Sequence, residues 1–135
     1  MSQPEPRARL VLEATVSPSE DPARVLQAMK KVVGEAQCGV ATDSDSARLV
    51  TEDPRALVHV RDQLRDRHVR AAARRQMLMK SSERSTSLML NRQAAAAGVV
   101  ALCGSPEESP LGPIYLTLES EKIDAVMDWL TAYAG

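Results

Sequence analysis

Two kinds of apolar spacing alternate along the chain, and they predict an alternation of strands and helices. In residues 9–16 the apolar side chains of Leu10, Leu12, Ala14 and Val16 stand at every second position, which predicts a strand with one face on a core. From Pro22, apolar residues recur three and four positions apart, which predicts an amphipathic helix that Asp21 caps and that ends near Gly34. A strand followed by a capped helix opens an α+β or an α/β domain.

The same patterns continue through the middle of the chain. Asp53 and Pro54 repeat the cap-and-proline signal, so a second helix is predicted to begin there. Its apolar stripe slips in phase between Leu64 and Val69, so either the helix bends near residues 66–68 or two helices meet there. Further strands are predicted at residues 39–42, 48–52, 85–90, 99–102 and 114–118.

Two more helices complete the predicted pattern. Asn91 can cap a short alanine run that Gly98 ends, and Ser120 can cap a last helix that buries Ile123 and Leu130. No internal repeat or low-complexity linker divides the chain. We therefore predict a loose tail over residues 1–8 and a single domain over residues 9–135.

Charge is distributed unevenly along this pattern. The 17 Lys and Arg and 18 Asp and Glu residues give a net charge of −1, yet residues 61–98 hold nine basic and only three acidic side chains. A basic segment in an otherwise acidic small domain is typical of proteins that bind the phosphate backbone of nucleic acids. The alternative is a solvated helix face without a ligand.

Aromatic residues are scarce, which bears on the mode of binding. The chain has no Phe, and its aromatic residues are Tyr115, Trp129 and Tyr133. Proteins that read single-stranded RNA usually stack bases on exposed rings. Because Tyr115 lies in a strand pattern and the other two in a helical pattern, we expect none of them to be a stacking platform. Backbone and shape recognition of structured or double-stranded RNA is the expectation instead.

Signals for catalysis or for a metal site are weak. His59 and His68 are nine residues apart, so on a straight helix they would lie on opposite sides. A zinc site would have to combine them with the isolated Cys38 or Cys103 through tertiary coincidence. No Ser, His and Asp stand at a spacing typical of a catalytic triad, and a nucleotide-handling enzyme would need a pocket that the sequence does not reveal. We expect a non-catalytic protein with no metal and no cofactor.

Membrane attachment is not expected. No apolar run approaches the length that spans a bilayer, and the N-terminal residues lack the apolar core of a signal peptide. The two isolated cysteines do not form a disulfide framework. We expect a protein of the reducing cytoplasm.

Five stretches carry a resemblance to a known family. They are residues 14–22, 64–74, 90–98, 109–114 and 128–130. The most specific are Leu-Asn-[basic]-Gln-Ala-Ala at 90–95 and Pro-Leu-Gly-Pro-Ile at 110–114, about twenty residues apart. In these stretches the chain resembles an archaeal family of small, uncharacterised conserved proteins described as RNA-binding or as predicted exosome-associated subunits.

The resemblance implies a fold and a role. The fold would be an α+β domain similar to ribosomal protein L five, with a mostly antiparallel or mixed sheet and helices packed on one side. The role would be RNA-related, with structured RNA and an RNA-processing complex as partners. The alternative is an interaction module that docks its basic face on an acidic protein. The residues predicted to contact RNA are Arg67, Arg70, Arg74, Arg75, Lys80, Arg84, Asn91, Arg92 and Gln93.

Overall fold

The computed structural model describes residues 6–132, and Tyr133 and residues 1–5 of the predicted tail lie outside that part. The strands are β1 (Arg9–Thr15), β2 (Gly39–Thr42), β3 (Ser46–Thr51), β4 (Ser85–Leu90) and β5 (Ile114–Glu119). The helices are α1 (Pro22–Val33), α2 (Pro54–Asp66), α3 (Arg70–Lys80), α4 (Arg92–Ala96) and α5 (Ile123–Leu130).

The five strands form one sheet in the order β2-β3-β1-β5-β4, and every neighbouring pair is antiparallel. The predicted α+β class with an antiparallel sheet is therefore confirmed. On one face, the register places Leu49, Leu12, Leu116 and Leu88 in a single row across four strands, and all four are fully buried. The helices pack against this buried face of the sheet.

The opposite face of the sheet is more open. Its matching row contains Arg48, Glu13, Tyr115 and Met89, of which the first three are exposed and the last is half-buried. Because side chains of a strand point alternately to its two faces, one face can meet the helices while the other meets solvent. The open face therefore presents side chains that are free to meet a ligand.

The phase slip of the apolar stripe corresponds to two separate helices. α2 ends at Asp66 and α3 begins at Arg70, and His68 between them has a φ of 57°. This left-handed conformation is uncommon for a residue other than glycine and stops the α2 hydrogen-bond ladder. The chain thereby redirects α3 toward the β4 edge of the sheet, where Thr86 Oγ1 donates to the carbonyl of Met77 at 2.6 Å.

The structure corrects several predictions about individual elements. Residues 99–102 do not form a strand: a single bridge joins Leu102 to Leu90 at the end of β4. β3 begins at Ser46, two residues earlier than predicted. Ser120 does not cap α5, because its Oγ atom donates to the carbonyl of Arg7 and accepts from the N–H of Lys122, which shapes the turn before the helix.

Gly34 ends α1 in a conformation that other residues avoid. Its φ is 67° and its ψ is −133°. A Cβ atom there would lie 2.8 Å from Cδ2 of His59, closer than packed atoms come. His59 cannot easily move away, since its Nδ1 atom lies 2.9 Å from the carbonyl oxygen of Val32. The α1–α2 contact thus requires a glycine.

We therefore expect Gly34→Ala to lower the free energy of unfolding by about 1–3 kcal/mol, because it combines backbone strain with a steric clash. Gly39→Ala is the matched control, since a Cβ atom at Gly39 would meet open space. It should change stability by less than about 0.5 kcal/mol. Urea unfolding followed by circular dichroism measures the stability of both variants. Equal losses of stability would contradict the requirement for glycine at position 34.

Candidate RNA-binding surface

The nine basic side chains of residues 61–98 divide into two groups in the structure. Five of them contact other parts of the protein, and four form no ion pair with any residue in the described part of the chain. The five are Arg61, Arg65, Arg70, Arg74 and Arg92. The four are Arg67, Arg75, Lys80 and Arg84, which we call the free basic set.

Arg70 and Arg74 attach α3 to the C-terminal part of the chain. Nη1 of Arg70 donates to the carbonyl of Ala132 at 2.8 Å. Nη1 of Arg74 donates to Oδ1 of Asp128 at 2.8 Å and to Oγ1 of Thr131 at 3.3 Å. Both side chains are half-buried. The sequence predicted Arg70 and Arg74 as RNA contacts, whereas in the structure they hold α3 to α5 and to the residues that follow it.

Arg61 and Arg65 are also engaged. The guanidinium carbon of Arg61 lies 4.5 Å from the ring centroid of Trp129, a cation–π contact that covers a residue only 8% exposed. Arg65 forms ion pairs with Asp62 at 3.5 Å and Asp66 at 3.2 Å on its own helix. Trp129 is therefore not available to stack on a base.

Arg92 is buried, and its guanidinium joins three segments of the chain. Nη1 lies 2.6 and 2.8 Å from the two carboxylate oxygens of Glu20, and Nε donates to the carbonyl of Gly112 at 3.1 Å. Its backbone N–H donates to Oγ of Ser109 at 3.1 Å. Only 5% of its side chain is exposed. The prediction of Arg92 as a phosphate contact is corrected, because its positive charge is already paired with the carboxylate of Glu20.

The other two residues predicted as RNA contacts lie beside Arg92, one in a local capping role and one exposed. Asn91 caps α4, as predicted, since its Oδ1 atom accepts from the N–H of Ala94 at 2.9 Å; this local role leaves it half-buried. Gln93 is exposed, but it follows the end of β4, whereas Arg84 precedes the start of that strand. Six strand residues, about 20 Å, separate the two ends. Gln93 is therefore remote from Arg84.

The free basic set follows α3 from one end to the other. Arg67 precedes the helix, Arg75 and Lys80 lie on it, and Arg84 follows it in the turn to β4. All four are exposed. Eleven helical residues span about 16 Å, enough to contact several successive phosphates. All four are among the residues that the sequence predicted to contact RNA.

A groove of about 600 Å³ lies beside α3. Arg75, Met79 and Lys80 form its helical wall, and Met89 and Tyr115 from the open face of the sheet also line it. Tyr115 is 42% exposed. We expected Tyr115 not to be a stacking platform, although the alternation in β5 placed its ring on the face opposite to the buried side chains of that strand. The alternation was the signal that could have revealed it.

The chemistry of the groove does not indicate a nucleophile or a metal. Burial, and next the charge of Glu108, raise the pKa of the Cys103 thiol at its wall, so this cysteine stays protonated at neutral pH. Within residues 6–132, no three His, Cys, Asp or Glu side chains come close enough to hold a metal ion together.

Comparison with known proteins assigns this chain to a family. No protein-family model matches the chain. A UPF0201 protein of Sulfurisphaera tokodaii is 33% identical over 125 residues, which cover 91% of this chain and 86% of that protein. The chain belongs to the archaeal UPF0201 family. A UPF0201 protein of Aeropyrum pernix is likewise 33% identical, over 92% of this chain and 85% of its own length.

A solved structure supports the fold of this UPF0201 chain. The crystal structure of a UPF0201 protein from Methanococcus jannaschii superimposes with a TM-score of 0.74 at 19% identity, covering 94% of this chain and 95% of that one. The identity to the UPF0201 protein of Sulfurisphaera tokodaii confirms the predicted membership of an archaeal conserved family. The RNA-related role and the likeness to ribosomal protein L five stay predictions. Across residues 6–132, no helix has the length and apolar character to cross a membrane.

We expect Arg92→Met to lower the free energy of unfolding by about 3–5 kcal/mol, because it leaves the Glu20 carboxylate buried without its cation. Arg75→Met is the matched control: the same change at an exposed site should cost less than about 0.5 kcal/mol. Glu20→Leu combined with Arg92→Met should recover most of the loss, since neither charge then remains. Denaturant titrations measure the free energy of unfolding of each variant. A double variant less stable than Arg92→Met would contradict this prediction.

The same pair predicts a pH dependence. Burial alone would raise the pKa of Glu20, but hydrogen bonds from the Ser17 N–H group and from Arg92 outweigh it and hold that pKa below its usual 4.5. The stabilisation is therefore present above this usual value and is lost as pH falls through the lower folded-state pKa. We expect the difference in unfolding free energy between wild type and Arg92→Met to shrink as the pH falls from about 7 to about 3. A difference that stays constant would argue against the ion pair as its cause.

Proposed function

We propose that this UPF0201 chain is a non-catalytic RNA-binding protein of the cytoplasm that contacts the phosphates of structured RNA through the free basic set. One observation carries the proposal: Arg67, Arg75, Lys80 and Arg84 are exposed and form no ion pair with the residues described, whereas the remaining five basic side chains of the segment are engaged. The likeness to ribosomal protein L five and a place beside an RNA-processing complex belong to the same proposal.

The electrostatics of the chain support this binding mode. An exposed cation without an internal partner can meet a phosphate without first breaking an ion pair, and it releases a counterion of the RNA when it does so. The rest of the chain is acidic, with 15 acidic and eight basic residues outside 61–98. The repulsion between these acidic residues and the phosphates of RNA would orient the protein with α3 toward the RNA.

The structure also redefines which arginines to test. Arg70 and Arg74 were predicted RNA contacts, but they fix α3 to the C-terminal part through Ala132 and Asp128. Reversing their charge would disturb the fold as well as any interface. They support the proposed surface by positioning α3, and a clean experiment leaves them unchanged.

We expect Arg75→Gln combined with Lys80→Gln to weaken binding to a structured RNA. The log–log salt slope should fall by about 0.7–0.9 for each phosphate that the variant no longer neutralises. The matched control is Arg24→Gln combined with Lys30→Gln, which removes the same charges from the exposed side of α1. Fluorescence polarisation at several salt concentrations measures both. Equal slopes for the two double variants, or no RNA binding by wild type, would contradict the proposal.

A second candidate function is favoured by two exposed apolar side chains on α3. Leu78 is 52% exposed and Met79 is 84% exposed. Apolar groups among cations are typical of a surface that docks on a protein, here one with an acidic face. Pull-down from a native lysate before and after nuclease treatment separates the two candidates. A partner that survives nuclease treatment, and that Arg75→Gln with Lys80→Gln no longer retains, would favour the protein partner.

A further inference from the structure

The groove beside α3 combines a flat ring, two thioethers and two cations. Tyr115 projects from the open face of the sheet, with Met89 beside it in the register of β4. Met79 is almost fully exposed at the α3 wall, and Arg75 and Lys80 stand on the same wall. A ring and polarisable sulfur atoms favour a flat aromatic group, while the cations favour an anion next to it.

A nucleotide carries both features. Its base presents a π-face to an aromatic side chain whatever the base identity, and its phosphates meet Arg and Lys. The groove volume, about 600 Å³, lies within the range of sites that enclose one small ligand. A base that is paired inside a duplex cannot reach such a ring, because its faces are already stacked on its neighbours.

We propose that an unpaired base of a structured RNA stacks on Tyr115, and that the phosphates flanking this base pair with Arg75 and Lys80. This inference rests on the proposed function and adds a base-binding site to the phosphate-binding surface. It also revises the expectation that no aromatic side chain of this protein takes part in recognition.

Acidic residues around the groove fix the side from which the phosphates approach. Glu13 lies opposite Tyr115 in the register of β1 and β5, so a negative charge stands next to the ring on its β1 side, and Arg48 lies beyond it on β3. Glu108 accepts from the N–H of Gly104 at the far wall, next to Glu107. The α3 wall is the remaining side, and it is the one that carries Arg75 and Lys80.

The test uses two RNA hairpins of equal stem length whose strands are joined by a non-nucleotide linker, one fully paired and one with a single-nucleotide bulge that contains 2-aminopurine. We expect wild type to bind the bulged hairpin more tightly and to change the emission of 2-aminopurine as the base stacks. Tyr115→Thr removes the ring but keeps a residue that favours strands. It should weaken binding of the bulged hairpin about five- to 150-fold and leave the paired hairpin unaffected.

Tyr115→Phe is the matched control, because it keeps the ring and should bind both hairpins as wild type does. Far-ultraviolet circular dichroism verifies that each variant is folded. If Tyr115→Thr binds the bulged hairpin as tightly as wild type, the base site is refuted. If wild type binds both hairpins equally and Arg75→Gln with Lys80→Gln weakens both, the base site fails and the phosphate surface stands. If wild type binds neither hairpin, both proposals fail.

Discussion

The buried ion pair between Arg92 and Glu20 is the interaction that fixes the connections at one end of the sheet. It joins the turn before α1 to the start of α4, and the Nε atom extends the link to the turn at Gly112. That turn has two consecutive positive φ angles, 69° at Leu111 and 92° at Gly112. A non-glycine residue in this conformation is strained, so the contacts that hold the turn must offset that strain.

The ion pair also explains what the family resemblance consists of. Three of the stretches that carry the resemblance, residues 14–22, 90–98 and 109–114, meet at Arg92. The small alanines after Arg92 let α4 approach α1, where Nζ of Lys31 donates to the carbonyl of Ala96 at 2.6 Å. The most specific motifs of the sequence therefore describe how the fold is closed, and the proposed binding surface lies on α3 instead.

Local patterns predicted most of the fold, because they act between residues close in sequence. Asp21 and Asp53 cap α1 and α2 through the N–H groups of Ala23 and Arg55, as their spacing indicated. The partner of Arg92 could not be predicted in this way, since Glu20 lies 72 residues away and many other carboxylates compete for the same role. The exposed cations were predicted as a group, but only tertiary contacts could separate them from those that hold helices together.

The proposed groove follows from the way the edge of the sheet is protected. β4 is an edge strand, and an uncovered edge would offer free N–H and C=O groups to another chain. Here Gln76 accepts from the N–H of Met89 at 2.6 Å and donates to the carbonyl of Cys103 at 2.8 Å. These bonds draw α3 and the segment around Cys103 to the edge, and the gap left between them opens toward Tyr115. Because α3 buries only Ala73 and Met77, exposed side chains of the helix such as Arg75, Met79 and Lys80 line that gap.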